Sequence, residues 1–319
     1  MLASLVRIMR SKLIRLGFLA VVLVLLAVAL VDQGDTLWHE VQRISAPVVL
    51  LAFGLSLCGL FCSLMVWREM LASLGSRLSI AEAWRIMFIG QLAKYIPGSI
   101  WPVLAQSELG ADRGIPRSRS ALSVLLSYAV MTCSGAAVAA ITLPFATART
   151  TAQYFWVLTV VPVSIVALSP PVLNRLLSFA LRLAGQPAME HRVSFTGLAR
   201  TMAWALAGWL FNGLMVYVLT RQLAGHPQGT LLVSVGAYSL SWVAGFVAVF
   251  APAGAGVREG VMVAVLGTRT TTAIALAIAL VTRAISVLCD GLVGAAAGAL
   301  VGRRRLRELW SARRAGPLS

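Results

Sequence analysis

Charge is what this chain has least of. Only 12% of its 319 residues are charged, and Asp and Glu together number 11. A soluble domain of this size carries about 25% charged residues to cover its surface, so a soluble globular fold is excluded. Cysteine is scarce too, at four residues, and histidine at three. Cys58, Cys62, Cys133 and Cys289 all fall in apolar stretches. Two thiols on one helix face, with no His-rich segment to join them, do not make a zinc site, so no metal is expected and the cysteines read as small packing residues. Nor is there a GxxxxGK[ST] loop, an HExxH, a paired CxxC or a GxSxG. Those absences speak against ATP-driven transport by this chain alone and against soluble hydrolase chemistry. The glycines of "GAGVREG" follow no soluble strand, so no dinucleotide or other cofactor is expected.

What the chain has is apolar length. It is 59% hydrophobic with a mean hydropathy of +0.86. Runs able to supply the ~20 residues of a membrane crossing recur throughout, which makes residues 1–319 a single integral membrane domain. Six full spans are expected, at about 13–31, 47–67, 121–143, 154–170, 198–220 and 272–300. The first is too long for a signal-peptide core, and "VDQGD" after it lacks a small-residue cleavage site, so it reads as a retained helix. The 27 basic residues give a net charge of +16. They crowd short loops and the 303–319 tail, where they suit anionic lipid headgroups, not nucleic acid.

Two further apolar segments are broken. Residues 83–110 are interrupted by Pro97-Gly98 and Pro102, and residues 231–267 by "PAGAG". Arg7, Arg10, Lys12 and Arg15 mark the N-terminus as cytoplasmic, and Arg113, Arg117 and Arg119 mark the loop after the first broken segment likewise. The charge pattern closes, with both termini cytoplasmic, if each broken segment is a re-entrant hairpin and the two enter from opposite faces. The fold class expected is therefore all-α and polytopic, six full spans plus two broken re-entrant hairpins in an inverted-topology repeat. The competing reading makes 231–250 a complete span.

Irregular backbone at membrane depth belongs where it lines a wet cavity or is buried in protein. Each break also starts a half-helix, near Ser99 and near Val257, whose first amides favour an anion. Gly254 and Gly256 admit a ligand to the backbone, and Arg258 adds a fork suited to phosphate. Lys94, one turn before the other break, reaches the same chamber, and Trp101 offers a flat wall. Glu259 balances Arg258 or Arg283, while Arg283 and Asp290 share a face of the last span. Charges at this depth cost about 2.5–3.5 kcal/mol each, so they need partners or a function.

The motifs "GQLAKYIPGSIW" (90–101) and "FAPAGAGVREGV" (250–261), followed by an arginine in "LVTRAISVL" (280–288), resemble the flippase-like membrane domain of the lysylphosphatidylglycerol synthases. The resemblance covers nearly the whole chain and rests on Lys94, Tyr95, Pro97, Gly98, Trp101, Pro252, Gly254, Gly256, Arg258, Glu259 and Arg283. It implies a role in moving a lipid-linked headgroup across the cell membrane. Only about nineteen residues follow the last span, so the expectation is a flippase domain without synthase activity, and not an enzyme. Membrane lipids would be its partners, with a second copy of the chain or a lipid-synthesis enzyme beside it. Two other readings compete. One is a scaffold for a lipid or glycan pathway. The other is a polyprenyl-phosphate-dependent glycosyltransferase using Asp32, Asp35, His39 or Glu40 of "VDQGDTLWHE".

Overall fold

The structure is a computed structural model that describes residues 38–95, 101–145, 155–183, 192–225, 230–248 and 251–314. Every regular element among them is helical. The expected span at 13–31, with Asp32, Asp35, Pro97 and Gly98, lies outside the described residues, as does the side chain of Tyr95.

Among the described residues, four helices are long and apolar enough to cross a membrane: α1 (Ala46–Ser73), α4 (Arg117–Thr142), α7 (Phe195–Ala224) and the first part, Thr272–Ala299, of α10 (Thr272–Arg314). They coincide with four expected spans. The expected span at 154–170 takes another form. Helix α5 (Phe155–Leu168) bends by 57° into α6 (Pro170–Leu183), since Pro170-Pro171 cannot continue the hydrogen-bond ladder of the helix before them. Helix α6 is amphipathic. It buries Leu173, Leu177 and Leu181, spaced by four, against α1, α4 and α7, and leaves Arg175 and Arg182 on its outer side. The sequence reading took this stretch for a connection. The tail also differs in form, for its basic residues continue α10 as helix to Arg314.

The two broken segments pair off as short helices. The first gives α2 (Ile80–Gln91), a 3-10 turn (Leu92–Tyr95) and α3 (Trp101–Ala111). At 1.5 Å per residue the two helices rise about 18 and 17 Å, well short of a ~30 Å core. Ser79 and Glu82 close a capping box at the start of α2. The Ser79 hydrogen bonds hold the Glu82 carboxyl below its usual range. That part of the cap's stability is present at neutral pH and is lost as pH falls through the lowered value.

The ends of this pair return to one place. Arg113 at the exit reaches Glu82 at the entrance (2.9 Å), and Arg119 at the start of α4 bonds Ser76 beyond the end of α1 (3.0 Å). Gly90 lets the helices touch, because a Cβ there would meet the backbone N of Gln106 at 3.1 Å.

The second segment gives α8 (Thr230–Val247), a 3-10 turn (Pro252–Gly254) and α9 (Val257–Leu266). Its open end packs at the opposite end of α1. There Leu219 and Leu223 of α7, Val233 of α8, Leu266 of α9 and Ala275 of α10 share one buried cluster with Ala52. The turns at the two tips, Leu92–Tyr95 and Pro252–Gly254, contact each other inside the bundle. Small residues permit the close helix approaches that membrane packing requires. Gly213 of α7 faces the backbone of Val235 on α8, and Gly208 faces Cys62 on α1.

Candidate functional site

Where the tips meet, the helices enclose a cavity of about 110 Å³. Four of the expected site residues line it: Lys94, Arg258, Arg283 and Asp290. Their pairing is not the one that sequence proximity favours. Arg283 and Asp290 share a face of α10, yet each is bound to a different hairpin. Asp290 pairs with Lys94 at 2.6 Å. Arg283 meets Glu259 at 3.4 Å and donates from Nη2 to the carbonyl of Ala253 at 3.2 Å. One face of one helix therefore ties down both tips.

The break itself is built for this. Ala253 has φ 49°, the left-handed region that costs an L-residue about 1–2 kcal/mol, and Gly254 (φ 72°) and Gly256 (φ 80°) flank it. The left-handed turn presents the Ala253 carbonyl to Arg283. Glu259 folds back so that its Oε2 accepts from the Gly256 amide at 2.6 Å. A carboxylate thus occupies the Gly256 amide, just before α9, at the backbone that the sequence reading offered to a ligand, and it also balances the helix dipole.

Arg258 stands differently. Its guanidinium carbon lies 5.5 Å from the centroid of the Trp242 ring, a cation–π geometry, and its buried Nε has no hydrogen-bond partner. Among the described residues it forms no ion pair. Trp242 is itself held flat by stacking on Phe246, at 5.4 Å and 5° between planes. The arginine stem runs in a slot between two glycines. A methyl on Gly254 would stand 2.8 Å from Arg258 Nε, and one on Gly245 would stand 2.7 Å from it.

Gly245 is in ordinary helical backbone, so Gly245→Ala strains nothing but the arginine. We expect it to push the guanidinium off Trp242 and to lower phosphate-type anion binding severalfold with the melting temperature nearly unchanged. Isothermal titration with a short-chain phospholipid, read beside a thermal melt, checks this.

Three cations and two carboxylates meet at the tips, which leaves one positive charge, on Arg258. The rest of the wall mixes aromatic and neutral-polar groups, including Trp209, Tyr128, Tyr238, Gln91, Gln106 and Asn212, with aliphatic ones such as Leu60, Val66 and Met87. Such a chamber is chemically suited to an anion, with room for uncharged polar groups beside it. Among the described residues it offers no nucleophile–base pair.

Of the other expected residues, Trp101 begins α3 but is 43% exposed and does not border the cavity. Gly98 and the Tyr95 side chain lie outside the description. Trp242, Gly245, Gln91 and Gln106 were missed. Gly245 had a signal, though a weak one since it lies in the last turn of α8: a glycine inside an apolar helical run costs up to about 1 kcal/mol and usually has a packing reason. The two glutamines had none beyond polarity inside an apolar run.

A search of the curated proteins returned no match. The family model described as the lysylphosphatidylglycerol synthase TM region matches residues 13–294, nearly the whole chain and every charged residue of the cavity. With membrane-length helices, two broken hairpins and a charged chamber at their tips, this multi-pass membrane protein belongs to the family of the lysylphosphatidylglycerol synthase TM region.

Proposed function

We propose that the protein is a lipid translocase of the cell membrane, moving the phosphate-bearing headgroup of an anionic or zwitterionic lipid, or of a polyprenyl-phosphate carrier, through the cavity between the two tips. The observation that carries this reading is Arg258, a cation held in place by Trp242 and two glycines, in ion pair with no carboxylate among the described residues, inside a chamber between the two tips. A fixed charge that expensive is retained when a ligand offsets it.

In this reading the six spans and two hairpins form an inverted-topology repeat with both termini cytoplasmic. Support comes from the hairpin bases at opposite ends of α1 and from the positive-inside pattern. The headgroup exchanges between the two faces as one or the other hairpin loosens. No bond is made or broken, so the chain acts without catalysing a reaction. A second copy of the chain or a lipid-synthesising enzyme would stand beside it.

The test is lipid occupancy by native mass spectrometry after gentle purification, wild type against Arg258→Ala. A phosphorylated lipid retained by the wild type and lost from the variant supports translocation, and its mass identifies the headgroup class. Equal occupancy in both would overturn the assignment of Arg258 and favour a scaffold.

A further inference from the structure

The cavity has an apolar neighbour that the headgroup site does not use. On the outer side of α1 lies a groove of about 490 Å³, bordered by Leu57, Phe61 and Cys62 of α1, by Trp84 and Phe88 of α2, and by Trp204 of α7, among other apolar residues. Its surface is almost wholly apolar. Aromatic pairs flank it on both sides, Phe61 with Trp204 (5.9 Å) and Trp84 with Phe88 (4.8 Å). Groove and cavity are built on the same helices, α1, α2, α7 and α10.

The two spaces meet along the seam between α1 and α2. Leu60 borders both of them. On α2, the adjacent residues Met87 and Phe88 border one each, Met87 the cavity and Phe88 the groove. Along α1 the polar positions Ser56 and Ser63 face the cavity, while Leu57 and Phe61, a quarter-turn away, face the groove.

Resting on the translocase reading, we propose that this groove is the acyl-chain site of the same lipid whose phosphate the cavity holds, with the α1–α2 seam as the passage and Leu60 as its gate. An anionic phospholipid is complementary to both halves at once. Its phosphate meets Arg258, the cavity cation without an ion pair among the described residues, and its tail meets a surface that is almost wholly apolar. At the depth of Leu57–Cys62, midway along α1, hydrocarbon is the medium outside the protein, so a tail enters the groove without crossing water. A lipid held at both ends is fixed in orientation before its headgroup moves. A lipid that merely coats the outside of the bundle has no reason to respond to Arg258.

The experiment uses the full chain in vesicles of phosphatidylcholine containing a small fraction of phosphatidylglycerol with a diazirine in one tail. Photolabelling is mapped by peptide, beside phospholipid retention by native mass spectrometry. The expected result is labelling of peptides covering 57–62 and 84–88, which excess unlabelled phosphatidylglycerol suppresses and excess diacylglycerol, with tails but no phosphate, does not. In Arg258→Ala, both groove labelling and retained lipid should fall about tenfold, the loss of one charge-assisted hydrogen-bond set.

Equal suppression by diacylglycerol would make the groove a seat for any tail and overturn the proposal. So would retained lipid that falls in Arg258→Ala while groove labelling stays, and in that case the headgroup assignment survives. An unlabelled groove in wild type that retains lipid also overturns the proposal alone, and means that another part of the chain covers the groove. Retention and labelling both unchanged in Arg258→Ala would sink the headgroup reading as well. Leu60→Trp gives a check that leaves every charge in place. It should lower groove labelling and lipid retention together, and labelling at the wild-type level would show that Leu60 is no gate.

Discussion

Arg258→Ala is expected to cost about tenfold or more in phospholipid binding while leaving the melting temperature unchanged or slightly raised. The two halves of this expectation have one origin. The guanidinium forms no ion pair among the described residues and its Nε is unsatisfied, so truncation orphans no carboxylate and removes a buried polar atom that the fold leaves unpaired. What is lost is the cation–π contact with Trp242, about 0.5–2 kcal/mol. Against that stands the desolvation cost of the charge itself. Binding loses a fork able to make two charge-assisted hydrogen bonds to phosphate. Arg258→Lys keeps the charge and loses the fork, so it should recover only part of the affinity. Titration with a short-chain phospholipid, with a differential scanning melt on the same samples, measures both halves. A large drop in melting temperature would mean that the arginine is a structural pillar, and the translocase argument would lose its main support.

Asp290→Ala should show the opposite pattern. The Lys94–Asp290 bridge is short, at 2.6 Å, and the Asp290 side chain is only 8% exposed. Removing the carboxylate strands an ammonium at the tip of the first hairpin, a change that costs about 3–5 kcal/mol in enclosed sites. Lys94 is 28% exposed toward the cavity, which moves the expectation to the lower end of that range. The double variant Lys94→Met/Asp290→Ala removes both charges and should regain most of the loss, because the bare charge and not the missing bond is what destabilises. Thermal melting of the three variants in one detergent forms a double-mutant cycle that tests this. Additive losses would show that the two residues do not act as a pair. The contrast with Arg258 sorts the three cations: Lys94 and Arg283 anchor the tips to α10, and Arg258, without an ion pair among the described residues, is the one that the translocase reading gives to an anion.

Much of this architecture could be read from the sequence, for a physical reason. A bilayer offers no partner to a backbone amide, so apolar length and helix become the same signal, and α1, α4, α7 and the apolar part of α10 stand where the hydropathy puts them. The second break was legible on the same ground, since the proline and glycines of "PAGAG" disfavour a continuous helix, while Pro97-Gly98 of the first lies outside the described residues. Lys94, Arg258, Arg283 and Asp290 stood out because charge in an apolar run is costly. Even α6 was readable in principle, from leucines at 173, 177 and 181, had the two prolines and the arginines not looked like a loop.

The pairings were legible only in part: the sequence offered Glu259 to Arg258 or Arg283, and gave no sign of Lys94 with Asp290. The sequence shows Arg283 and Asp290 two turns apart on one helix, but only the tertiary structure decides that Asp290 takes Lys94 and Arg283 takes Glu259. Those contacts depend on where two hairpin tips arrive, and no local periodicity encodes that. The same holds for the slot around Arg258. Gly245, Gly254 and Trp242 lie on three sides of one side chain because α8 and α9 fold back on each other, and the spare positive charge of the cavity appears only after every carboxylate has found its partner. Composition and spacing determined which residues enter the membrane and which charges are expensive there. Packing decided which of those charges cancel, and so which one stands without an ion pair among the described residues.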